Sequence, residues 1–167
     1  LGVDTKPPTI VASLSNRDWN NTDVTVTFDV EDTGSGANSD IKSGINHSSY
    51  AVTNSTTKPS SGWINTNNDN FNVTISNNGT WYINVETVDN VGYTTYNFFG
   101  AYKVDDNTPV VVVTPENRVW GNTDVAVNIS VSDSGGSGSE SGYKEMRYVW
   151  SDNTTKPVDG WTTTTSV

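Results

Sequence analysis

Nearly every side chain of this 167-residue chain that could bind or transform something is an oxygen donor. Nineteen Asp and Glu stand against nine Lys and Arg, with one histidine, His47, and no cysteine. Thiolate zinc sites, iron–sulfur clusters and disulfides are excluded, and a His-based triad or metal site has too little material. A formal charge of −10 repels phosphate backbones, so nucleic acid is not an expected partner. Hard oxygen ligands suit calcium, which takes carboxylates and carbonyls from loops that wrap round it. The residues placed for this are Asp4, Asp32, Asp89 and Asn90, expected to gather at the end of a folded unit, and the run Asp105-Asp106-Asn107 at a junction. The same residues have a plainer use, because Asp and Asn side chains make turns by bonding their own backbone. Calcium is the one cofactor the sequence raises, and it stands against that alternative.

Other chemistries find less support. Aromatic platforms stack sugar rings, and Trp150 with Tyr148 nearby is the candidate for such a ligand-binding contact. Trp19, Trp63, Trp120 and Trp161 each follow a repeated local pattern, which points to packing. Lys58 and Lys156 both sit in TTKP turns, where no apolar strand would activate an amine for isopeptide formation. A glycosidase needs two carboxylates about 5–10 Å apart in one cleft, and repeated units offer no unique cleft. No enzyme is expected. The stretch GGSGSE at 135–140 resembles one calcium β-helix element but occurs once, and reads as a loop.

The elements that must position these residues follow from composition. Val, Thr, Asn and Ser number 22, 24, 21 and 19, against two Leu and one Met. Such a chain favours strands and turns over helices. It also repeats. NRDWNNTDVTVTFDVEDTG from Asn16 answers NRVWGNTDVAVNISVSDSG from Asn117, and VDTKPP from Val3 answers VDDNTP from Val104, both at an offset of 101. SGINHSSYAVTNSTTKPSSGW from Ser43 answers SGYKEMRYVWSDNTTKPVDGW from Ser141 at an offset of 98, so three residues are lost between Asp32/Asp133 and Gly44/Gly142. Two units are expected, 1–103 and 104–167. The second contains no counterpart of Asn65 through Lys103 and is incomplete at its C-terminal side. The duplication also predicts like surroundings for Trp19 and Trp120.

Alternation locates the strands of the first unit at Thr9–Leu14, Val24–Val30, Ile45–Thr53, Ser61–Ile64, Asn70–Ser76, Thr80–Val88 and Tyr93–Val104. Val24, Val26, Phe28 and Val30 share one face. So do Phe71, Val73 and Ile75, then Trp81, Ile83 and Val85, and finally Tyr96, Phe98, Tyr102 and Val104. Seven short strands with frequent turns read as all-β, tandem immunoglobulin-like β-sandwiches.

The phrases VETVDNVGYTT (85–95) and AYKVDDNTPVV (101–111) resemble the "A-x-D-x-x-G-N … Y-x-V-D-x-T-x-P" junction of bacterial immunoglobulin-like (Big-type) tandem repeats. These occur in surface adhesins, S-layer proteins and secreted multidomain enzymes. DTGSG at 32–36 is similar to their D-x-G-S-G loop, while Gly92-Tyr93 stands where the repeat often has Gly-Asn. The resemblance implies non-catalytic spacer or structural repeats of an extracellular, surface or secreted protein, such as an adhesin stalk or surface-layer component. The chain is then expected to be a segment of a longer exported protein, with neighbouring repeats as partners. No apolar run is long enough to enter a membrane. Two other readings remain open: a carbohydrate-binding accessory module of a secreted hydrolase, and a filament or lattice subunit that self-assembles through strand addition.

Overall fold

The structure, a computed structural model, describes residues 3–14, 18–34, 41–115, 120–133 and 140–164. The last two residues of DTGSG and all of GGSGSE except Glu140 lie outside them. The described residues contain twelve strands and no helix, and so none that is long and apolar enough to cross a membrane. The chain divides into two units, Leu1–Asp106 and Asn107–Val167. This division falls three residues beyond Lys103. Asp105 N–H donates to Asn20 O and Asp106 N–H to Asn78 Oδ1, at 2.8 and 3.2 Å, which ties both residues to the first unit.

The first unit holds β1 (Thr9–Ala12), β2 (Trp19–Asn20), β3 (Val24–Glu31), β4 (Ile45–Thr53), β5 (Ile64–Thr66), β6 (Asn70–Ile75), β7 (Gly79–Asp89) and β8 (Thr94–Val104). They form two sheets, β1-β3-β6 and β2-β8-β7-β4-β5. The period of two in β3 and β6 sends Val24, Val26, Phe28, Val30, Phe71, Val73 and Ile75 inward from one sheet. Ile83, Val85, Tyr102 and Val104 meet them from the other, giving a sandwich-like core. At its centre Phe28 stacks on Phe71 and meets Phe99 edge-on, with ring centroids 5.4 and 5.1 Å apart. Removing these side chains from water is the main stabilising term for such a unit.

Three expectations are corrected. Tyr96 and Phe98 are out of phase with Tyr102 and Val104. The β7–β8 register shifts between Trp81/Tyr102 and Tyr82/Gly100, and the extra residue turns the strand over. Tyr96 therefore meets Trp63 and Phe98 meets Tyr82, while Phe99 reaches the core. A short strand the alternation does not reveal, β2, lies parallel to the end of β8. Trp19 and Trp63 are half-buried and packed, under Lys103 and beside Tyr96. Trp120 is fully exposed, so the two tryptophans have unlike surroundings. Trp19 is covered by β8, and the 167 residues hold no counterpart of β8 for Trp120.

The second unit contains β9 (Val110–Thr114), β10 (Asn128–Ser132), β11 (Met146–Tyr148) and β12 (Thr162–Thr164). Its pairings repeat those of the first. Val110↔Ser132 and Val113↔Ile129 are Thr9↔Glu31 and Ala12↔Phe28 moved by 101, and Met146↔Thr164 is Ser48↔Thr66 moved by 98. A local lock recurs as well: the Trp63 and Trp161 indoles donate to Pro59 O and Pro157 O, each at 3.0 Å.

Candidate metal centre

The alternation that builds the core also carries two acids inward. Asp32 extends the column Val24-Val26-Phe28-Val30 by one step past the end of β3, and Asp89 ends the column Ile83-Val85-Thr87 on β7. Both are buried, at 5% and 1% exposure. The lead segment, residues 3–8, adds Asp4. Each of the three offers a carboxylate oxygen within 4.8 Å of the other two. Calcium holds oxygens at about 2.3–2.6 Å, so two ligands of one ion lie at most about 5 Å apart. The trio is within the reach of a single ion.

Loops fix the carboxylates. Asp4 accepts from Lys6 N–H through Oδ1 and from Ser43 N–H through Oδ2, at 3.2 and 2.8 Å. Asp32 Oδ2 accepts the Gly44 N–H and the Ser43 hydroxyl. Asp89 Oδ1 accepts from Val91 N–H and Tyr93 N–H, at 2.9 and 2.8 Å. Gly44 turns the chain into β4 at φ +85°, a conformation that favours glycine. Tyr93 contributes its backbone amide.

One oxygen on each buried carboxylate is left over. Among the described residues, the buried side-chain polar atoms without a hydrogen-bond partner are Asp32 Oδ1, Asp89 Oδ2 and Asp133 Oδ1. All belong to this set or to its repeat, because Asp133 stands 101 residues after Asp32. The described ion pairs, Lys42–Glu31, Lys58–Glu86 and Arg147–Glu145, give neither Asp32 nor Asp89 a cationic side chain. The donors that converge here are all oxygens, and a divalent cation fits that chemistry.

The other residues of the expected set are placed differently. Asn90 sits at the rim and uses its amide as a brace, donating from Nδ2 to Ser43 O and from its backbone to Gly44 O, at 2.8 and 2.9 Å. Asp105 and Asp106 lie at the opposite end of the first unit, beside Asn20 and Asn78. Asn107 is exposed at the start of the second unit. In that unit Tyr148 is half-buried on β11, while Trp150 is 76% exposed beside a shallow depression lined by Asp152, Pro157 and Asp159.

No family model, curated protein or solved structure matches the chain. Ser43 and Gly44 are the functional neighbours that residue type alone passes over. The signal for them is the recurrence of Ser-Gly at 141–142.

Proposed function

We propose that the chain consists of tandem immunoglobulin-like β-sandwich modules of the Big type, serving as non-catalytic spacers in an exported, cell-surface protein. The observation that carries this reading is the path of the chain through the first unit. The lead segment enters beside Asp32, Gly44 and Asp89, whereas β8 leaves at Val104, which pairs with Gly79 at the other end of β7. Eleven residues of β7 separate these ends by roughly 35 Å at about 3.3 Å per residue. A unit entered at one end and left at the other suits a spacer.

Its short attachments support the same use. Asn20 Nδ2 donates to Lys103 O at 3.3 Å, and Lys103 lies over the Trp19 ring, so the parallel β2–β8 contact ties the exit strand down. Tension applied along the chain loads such hydrogen bonds in shear rather than one at a time. The acidic surface keeps neighbouring copies apart in solution.

The exposure of Trp150 does not single out a glycan platform, because Trp120 and Val158 are still more exposed in the same unit. Sedimentation and small-angle scattering of the chain, with glycan-array binding alongside, test the proposal. A monomer longer than one unit that binds no glycan is expected. Concentration-dependent assembly would favour the lattice reading, and glycan binding lost in Trp150→Ala would replace the spacer with an accessory binding module.

A further inference from the structure

We propose that Asp4, Asp32 and Asp89 form a calcium site, and that the bound ion fastens the lead segment to the end of the first unit. Three acids close together are common on protein surfaces and mean little by themselves. Here two of them are almost wholly inside, and each has an oxygen with no donor to meet it, Asp32 Oδ1 and Asp89 Oδ2. Native interiors rarely leave such atoms unmatched without an ion or a function to account for them.

The second unit repeats part of the arrangement. Asp133 repeats Asp32 with its Oδ1 likewise buried and unmatched, and Ser141 Oγ reaches Asp133 Oδ2 at 3.2 Å as Ser43 Oγ reaches Asp32 Oδ2 at 3.4 Å. Gly142 takes φ +73° where Gly44 takes +85°. The same half-site is built twice from separate stretches of chain.

The donors select the ion class. They are hard carboxylate oxygens, without imidazole or thiolate, which suits calcium over zinc or copper. Asp32 and Asp89 belong to the two facing sheets, and Asp4 belongs to neither. The ion joins the sheets at their end and holds the lead segment there. Without it, the Ser43 N–H bond to Asp4 and the contacts of Pro7 and Pro8 carbonyls with Thr33 and Thr95 hydroxyls hold the segment. Each of these bonds is weak on its own.

The proposal stands on geometry separate from the spacer role, and the two fail separately: calcium titration reads the site, and scattering reads the shape. The test is thermal unfolding and amide exchange of the full chain in about 10 mM calcium and in chelator, a concentration at or above the dissociation constants of weak extracellular sites. The expected result is a midpoint rise for the first unit of roughly 5–20 °C. Exchange of the Ser43, Gly44, Val91 and Tyr93 amides should slow about tenfold. Asp4→Asn, in the half-exposed lead segment, and Asp89→Asn, which keeps an acceptor for Val91 and Tyr93, should each abolish most of both effects. Normal protection of core amides in the variants confirms folding. A midpoint unmoved by calcium overturns the site, as does a shift that sodium chloride of equal ionic strength reproduces.

Discussion

Val24 and Val125 occupy the same place in the two copies, yet Val24 is 5% exposed and Val125 55%. The contrast runs along the whole strand. β3 pairs over its first six residues with β6 and is covered by β7 and β8, and all eight of its residues are strand. Its counterpart in the second unit keeps only Asn128–Ser132 as strand, the part that pairs with β9. Among the described residues no strand pairs with β10 on the side where β6 pairs with β3. Pairing that depends on near neighbours is thus reproduced residue for residue, whereas burial that depends on distant strands is not. A strand's register is set by its turns and its alternation, but its stability comes from the sheet that covers it.

The comparison breaks most readily at its centre. Phe28→Ala should cost the first unit about 3–5 kcal/mol, because a fully buried ring contacting Phe71 and Phe99 leaves a cavity. Ile129→Ala, at the same place in the second unit but half-exposed, should cost less than about 1.5 kcal/mol. Denaturant unfolding with amide exchange resolved by unit measures both. Equal costs would mean that the β9–β10 face is covered in solution, and the contrast between the copies would be lost.

The paired glycines sharpen it at smaller scale. A Cβ on Gly44 would sit 3.2 Å from Asn90 Nδ2, whereas one on Gly142 meets nothing within 4 Å. Both have positive φ. Gly44→Ala should therefore destabilise by about 2 kcal/mol and Gly142→Ala by about 1 kcal/mol, the strained conformation alone. The same unfolding measurement decides it, and a larger loss at Gly142 would contradict the account.

The smallest effect concerns the TTKP lysines. Lys58 pairs with Glu86 and lies over the Trp63 and Tyr96 rings, with centroids 5.8 and 4.9 Å from Nζ. Half-exposed contacts of this kind are worth about 0.5–1 kcal/mol. Lys58→Ala should lower the first unit's stability by that amount. Lys156→Ala should change the second unit by only a few tenths, since the chain holds no counterpart of Glu86 or Tyr96.

Much of the site was legible before any coordinates. The pattern V-x-V-x-F-x-V-x-D ending at Asp32, and its repeat V-x-V-x-I-x-V-x-D ending at Asp133, state that an acid follows the core residues on the inward face. Period two is a local property of extended backbone, and it carries through to the last residue of the strand. Asn90 could not be separated from its neighbours in the same way. Whether an amide becomes a ligand or a brace depends on which way Ser43 and Gly44 turn, and that is set by a segment more than 40 residues away.

The order of turns and alternating residues therefore determined most strands of the first unit, the duplication and the inward aim of Asp32. The tertiary structure alone decided that Asp4, Asp32 and Asp89 converge, that β8 turns over at Gly100, and that Trp19 is covered while Trp120 is not. Those outcomes rest on contacts between residues far apart in the chain. Their free energy comes from surfaces removed from water together, and no window of sequence contains both sides of such a contact.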